Sequence, residues 1–212
     1  MTRLPIRADD RPLLIAVSDV DNLLVPIFEW ATALIDSGVD IIQLRQPDRT
    51  DEDIEALARL LLKTFPADRL QINGRPLIAN ALGCGLHLPE RSDYSGPARS
   101  PFSRSVHSPE TARIASSCDF VVAGHVYATP SHPGEAGRGV AWLTEMVAES
   151  PVPVVAIGGI DATNAASCIQ AGANGVAVIR GLTATEHPYE AARALRTVLD
   201  NAALAYSESR IQ

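Results

Sequence analysis

Lysine is almost missing from this sequence. Of 18 basic residues in a chain of 212, Lys63 is the single lysine and the other 17 are arginines. Lys63 falls in DIEALARLLLKTF, an amphipathic helical pattern away from any strand end. Schiff-base chemistry needs a partly desolvated lysine inside a site, so that mechanism is excluded. Cysteine is scarce as well: Cys84, Cys118 and Cys168 lie far apart and form no CxxC pair. Neither a disulfide framework nor a zinc site is expected, and a reducing compartment fits better. No apolar run reaches the ~18 residues of a membrane span, and the opening MTRLPIRADDRPLL has no signal-peptide core. A net charge of −7 disfavours nucleic acid, because neutralising phosphates takes clustered Lys and Arg. The expectation is a cytoplasmic protein with no nucleic-acid or membrane partner.

What is present is a repeating pattern, with no low-complexity segment or Gly/Ser linker to divide it. Short β-branched runs occur at 13–19, 39–45, 70–74, 85–88, 102–107, 119–126, 152–159 and 174–181. Between them lie helical stretches: one ending near Ser37, Asp51–Phe65, one to Leu82, one starting at Ser108, Val140–Glu149, one after Asp161, and Pro188–Ala205. YSGPARSP reads as loop. Ser108-Pro109-Glu110 and Asp161-Ala-Thr-Asn have the look of helix N-caps. Near-continuous Val/Ile/Ala strands belong to parallel sheets covered on both faces. Eight such β/α units in this length predict a single-domain (β/α)8 TIM barrel over 1–212. Its core would span about 13–205, with tails at 1–11 and 206–212. A doubly wound open sheet is the alternative, but no GxGxxG follows the first strand.

In such a barrel the site lies at the C-terminal ends of the strands. Gly158 and Gly159 follow the seventh strand, and Ile179, Arg180 and Gly181 follow the eighth. Loops there commonly form a phosphate site, since glycines let backbone N–H groups approach an anion. A tight turn alone would also explain the glycine pair. On strand two, Gln43 and Arg45 share a face, and Arg45 suits a carboxylate or phosphate or an ion pair with Asp48. Asn73 is a turn residue or a substrate contact. His125, at the end of strand six, is the candidate proton carrier. Thr129 and His132 lie in the following loop, which is placed to close over a ligand. His87 and His107 are strand-end histidines whose role stays open, and His187 reads as surface. Glu90 and Asp93 have no carboxylate partner in sequence, so no metal is expected.

Several segments together resemble the thiamin phosphate synthase and thiazole tautomerase (TenI) superfamily: IIQLRQPD, INGRP, GLHLPERS, SRSVHS, GHVYATPSHPGEAGRG and PVVAIGGIDATNAASCIQAGANGVAVIRGL. The likeness runs from about Leu14 to Leu182. Synthases of that superfamily hold a pyrimidine pyrophosphate and Mg²⁺ with residues that here are Pro47, Gly74, Ser92 and His132. NGR at Asn73–Arg75, RSVHS at Arg104–Ser108 and GHV at Gly124–Val126 resemble the tautomerase branch instead.

The resemblance therefore implies a cofactor-independent isomerase acting on a small phosphorylated thiazole. It would aromatise the dihydrothiazole carboxylate phosphate to 2-(2-carboxy-4-methylthiazol-5-yl)ethyl phosphate. His125 would move the proton, Arg45 would hold the carboxylate, and Gln43, Asn73 and Ser105 would make polar contacts. Gly158, Gly159, Ile179, Arg180 and Gly181 would cradle the phosphate. The alternatives are thiamin phosphate synthase, coupling thiazole phosphate to hydroxymethylpyrimidine pyrophosphate, and a non-catalytic thiazole-phosphate-binding regulator. A homodimer is the assembly that the resemblance suggests.

Overall fold

A computed structural model describes residues 11–209. The strands are β1 (Leu13–Val17), β2 (Ile41–Leu44), β3 (Leu70–Asn73), β4 (Gly85–Leu88), β5 (Arg99–Val106), β6 (Phe120–Gly124), β7 (Val154–Ile157) and β8 (Gly175–Val178). They form a closed barrel in sequence order. Closure is made by parallel pairing of β1 with β8, from Leu13↔Gly175 to Ala16↔Val178. This excludes the open doubly wound sheet. The fold is a single-domain TIM barrel. Around it lie α1 (Ile27–Asp36), α2 (Asp51–Leu61), α3 (Pro76–Leu82), α4 (Pro109–Arg113), α5 (Gly139–Glu149), α6 (Ala165–Gln170), α7 (Arg180–Thr183) and α8 (Pro188–Ser209).

The strands read as continuous apolar runs because both of their faces are covered. Along β1, Leu14 and Ala16 join the layer under the helices. Ile15 and Val17 instead pack inside the barrel with Ile41, Phe120, Val122, Val155 and Ala177. Residues paired across parallel strands share a face, so the register carries the inward set around the ring. It passes from Val17 to Gln43, Gln71, and on through Asn73, His87, Ser103 and Ser105. The barrel interior thus has an apolar wall (β6, β7, β8, β1) and a polar wall (β2 to β5).

Side-chain caps set the starts of two helices. Thr50 caps α2 and Ser108 caps α4, each by a reciprocal box with the third helical residue, and Pro109 occupies the first turn of α4. Helix α6 departs from expectation, starting at Ala165 and not directly after Asp161. Asp161 Oδ1 accepts from Thr163 N (2.8 Å) and Thr163 Oγ1 (2.6 Å), a local turn that competes with helix. Strand β5 begins at Arg99, inside the segment expected to be loop. A register shift between Gly85 and Leu86 admits Pro101 there, the usual way a strand tolerates proline. The eighth strand stops at Val178, and Arg180–Thr183 turn into α7.

The base of the barrel is tied by a buried guanidinium. Arg196, 1% exposed, donates to Pro12 O (2.8 Å) and Asp40 Oδ2 (3.3 Å) and pairs with Asp200 (2.6 Å). Asp40 also accepts from Leu14 N (2.8 Å), so α8, β1 and the start of β2 share one network. Helix α8 runs to Ser209, so 206–209 are helical and not the expected tail. Residues 1–10 and 210–212 lie outside the described residues. No helix among the described residues is long and apolar enough to cross a membrane.

Candidate active site

The C-terminal ends of the strands open onto a cavity of about 400 Å³, a volume suited to small-molecule ligands. Gln43, Arg45, Asn73, Ser105, His125, Thr129, His132, Gly158, Gly159, Ile179, Arg180 and Gly181 all line it. The fold therefore brings together the residues named from the sequence as proton carrier, substrate contacts and phosphate cradle, whereas Glu90, Asp93 and His187 lie off the cavity wall. His87, His107 and Asp161 line it as well.

The polar wall is a continuous hydrogen-bond chain. Asn73 Nδ2 donates to Gln43 Oε1 (2.8 Å), and Gln43 Nε2 donates to Gln71 Oε1 (2.9 Å). Gln71 Nε2 then donates to Ser103 Oγ (2.8 Å). An amide nitrogen only donates, and Ser103 is fully buried, so its hydroxyl hydrogen needs an acceptor. His87 Nδ1, 2.8 Å away, is that acceptor. The neutral imidazole then carries its hydrogen on Nε2 and donates it to Ser105 Oγ (2.9 Å). Two consequences face the cavity: the Ser105 hydroxyl is left to donate to a ligand, and Asn73 Oδ1 is left to accept. His87 is held neutral by burial first and by Arg45 and Arg104 second, which lower its pKa to about 3. Its signal in the sequence was a lone polar residue at the inward position of Leu-His-Leu.

Cationic groups stand at the rim. Arg45 is exposed to the cavity, and its guanidinium is not paired with Asp48 or any other carboxylate among the described residues. Arg180, at the start of α7, is likewise exposed and unpaired. Trp30 Nε1 donates to Leu182 O (2.6 Å) and holds that short helix from behind. His107 is bound away from the ligand, its N–H and Nδ1 both meeting Glu90 (2.7 and 3.1 Å).

The Gly158–Gly159 pair has a packing reason that the sequence reading did not contain. Both have positive φ (104° and 63°). A β-carbon on Gly158 would lie 2.3 Å from His125 Cβ, and one on Gly159 would lie 2.4 Å from Ala128 O. The glycines let the segment after β6 lie directly on the end of β7. His125 is thereby fixed at the mouth, 7% exposed, with Nε2 3.2 Å from Ala136 O. Its ring stacks on that of His132, with centroids 4.4 Å apart and planes 15° from parallel.

The Mg²⁺ that the resemblance attaches to synthases does not fit at the ends of β3 and β4. Gly74 and Ser92 offer no carboxylate there, Glu90 is committed to His107, and Asp93 is exposed off the cavity wall. The one cluster of three or more metal-ligating side chains among the described residues is His125, His132 and Glu135. Glu135 lies in a Pro/Gly loop without periodicity, so nothing in the sequence pairs it with the two histidines.

The mouth of this TIM barrel carries the Gly158–Gly159 turn after β7 and the unpaired guanidiniums of Arg45 and Arg180. The thiamine monophosphate synthase (TMP-TENI) family matches residues 14–182, and the chain belongs to it. A thiamine-phosphate synthase of Thermus thermophilus is 35% identical over 171 residues, covering 75% of this chain and 82% of that protein. A putative thiamine-phosphate synthase of Geobacter sulfurreducens is 37% identical over 189 residues, covering 83% and 87%. Thiamine-phosphate synthase of Synechocystis is 30% identical over 214 residues, covering 93% of this chain, which spans only 60% of that relative. Among solved structures, thiamine phosphate pyrophosphorylase from Pyrococcus furiosus superposes with a TM-score of 0.75 at 24% identity. The match covers 92% of this chain and 99% of that one, and shows the shared fold.

These relatives correct the expectation of a thiazole tautomerase. They are named for a synthase, a transferase-type coupling, and not for an isomerase. The arginines of the NGR and RSVHS motifs serve the scaffold, while His125 of GHV lines the cavity. Arg75 of the NGR motif turns outward to Asp51 (2.7 Å) and Arg49 O (2.9 Å). Arg104 of RSVHS holds the loop after β4, donating to Glu90 O and Ser92 O (3.1 and 2.8 Å). Neither touches the cavity. Positive charge at the rim comes instead from Arg45 and Arg180.

Proposed function

We propose that this chain is a thiamine-phosphate synthase-type transferase, joining a phosphorylated thiazole to a pyrimidine carried as its methyl diphosphate. The likeness to relatives of that name supports it. The observation that carries it is a cavity flanked by two unpaired guanidiniums, Arg45 and Arg180, with a polar wall opposite an apolar one.

In the coupling, the thiazole nitrogen lone pair forms a bond to the pyrimidine methylene carbon. The carbon–oxygen bond to diphosphate breaks, and its electron pair leaves with the diphosphate. No proton has to move, so His125 is not needed as a shuttle. Its work is to anchor the loop that covers the cavity, through the Ala136 carbonyl and the His132 stack. Arg45 and Arg180 answer the charge that grows on the leaving diphosphate, where charge-assisted bonds count most. The backbone at Gly158–Gly159 and Arg180–Gly181 approaches the thiazole phosphate. Asn73 Oδ1 and the Ser105 hydroxyl give the pyrimidine one acceptor and one donor, while Val17, Val122 and Ala177 line the apolar side. The wall is built before ligand arrives, which lowers the cost of orienting two substrates.

Expression in a thiamin auxotroph that lacks its synthase tests the proposal. Growth without thiamin is the expected result. Failure to grow despite accumulation of folded protein would overturn it.

A further inference from the structure

We propose that His125, His132 and Glu135 form a binding site for a divalent first-row transition metal of the Zn²⁺ class at the cavity rim, where His125 and His132 line the cavity. One ring nitrogen from each histidine and a carboxylate oxygen of Glu135 lie within 4.8 Å of one another. His132 Nδ1 is already 3.7 Å from Glu135 Oε1. Two imidazoles and one carboxylate are the three-ligand set of many catalytic zinc sites, which keep a further position open. The same nitrogen-rich set disfavours Mg²⁺ and Ca²⁺, which take oxygen ligands.

The three groups come from supports of different stiffness. His125 is buried at the end of β6, and its Nε2 meets the Ala136 carbonyl, the kind of outer contact that orients a ligating histidine. His132 and Glu135 lie on a loop closed by hydrogen bonds from His132 N to Thr129 O (2.9 Å) and Glu135 N to His132 O (3.2 Å). Donors around a tetrahedral metal sit about 3.4 Å apart at normal bond lengths, so the cluster contracts on binding. The stacked rings point their lone pairs along near-parallel planes, so the His132 ring also turns. Its side chain is 47% exposed and has room to do so. A metal at the end of β6 would add positive charge to a mouth whose β3 and β4 ends offer no carboxylates to hold Mg²⁺. That role, as counter-charge for a diphosphate, rests on the coupling reading, whereas metal binding itself does not.

The test is titration of Co²⁺ into the tag-free full chain, followed by its visible absorption. One ion per chain should give intense tetrahedral-type bands that Zn²⁺ displaces. His132→Ala with Glu135→Gln should weaken binding at least ~10–100-fold, the cost of losing even an outer contact at such sites. Circular dichroism should be unchanged, because both side chains are exposed. Absence of the bands, or bands that persist in the double variant, overturns the site. Inorganic pyrophosphate should then perturb the wild-type bands. Bands that ignore pyrophosphate overturn the counter-charge role, and neither result depends on whether coupling occurs.

Discussion

Gly158 and His125 are so close that a β-carbon on the glycine would lie 2.3 Å from the β-carbon of the histidine. Together with a φ of 104° at Gly158, this makes the end of β7 the mould in which the end of β6 is set. Gly158→Ala should therefore displace His125 and the loop it anchors. The expected cost is about 1–3 kcal/mol of stability, from strain and overpacking, with a larger loss of activity. Gly181→Ala comes closest to Val178 Cγ1, a side-chain atom at 3.1 Å, with no positive φ, and should cost less stability. Thermal melts of the two variants check the order.

The free guanidiniums predict a charge-specific binding loss. Arg45→Gln and Arg180→Gln should each weaken binding of the diphosphate substrate by roughly 10–100-fold, the worth of one charge-assisted hydrogen bond. The wild-type affinity should also fall with added salt, because the groups are at the rim. Calorimetric titration with inorganic pyrophosphate at two ionic strengths measures both effects. An unchanged affinity in Arg45→Gln would remove that residue from the anion site.

His87 predicts an acid-side stability loss. Its pKa is lowered from 6.5 to about 3 by burial, so between these values the unfolded chain binds a proton that the folded one refuses. Stability from this group is present above pH ~6.5 and falls by about 1.4 kcal/mol per pH unit as pH drops toward 3. His87→Gln lacks the titration while keeping hydrogen bonding to the serines possible. The stability gap between wild type and variant should shrink from pH 7 to pH 4 in urea melts. A gap independent of pH would contradict the buried neutral histidine.

At the base, breaking the Arg196 network should cost up to about 3–5 kcal/mol, since buried Asp40 loses the guanidinium that pairs with it. Asp40→Asn is the sharper test. It weakens the ion pair yet preserves an acceptor for Leu14 N, so its melting temperature should fall less than that of Arg196→Ala.

The barrel and its mouth were legible because they rest on short-range signals. Two-sided apolar strands such as VPVVAIGG and caps such as Ser108-Pro109 are local, and strand ends mark the site once eight units are counted. What stayed hidden depends on partners far along the chain. The neutrality of His87 is set by Ser103, Ser105 and the chain from Gln71. The outward turn of Arg75 is set by Asp51, and the turn that delays α6 lies in the side chains of Asp161 and Thr163. Arg75 and Arg104 match motifs of the tautomerase branch, but their guanidiniums serve the scaffold.

The most direct measurement incubates purified protein with thiazole phosphate, hydroxymethylpyrimidine diphosphate and a divalent cation, and follows thiamin phosphate and pyrophosphate together. The account predicts that both appear at equal rates and that Arg45→Gln slows them at low substrate. No thiamin phosphate from wild-type protein that binds both substrates would contradict it.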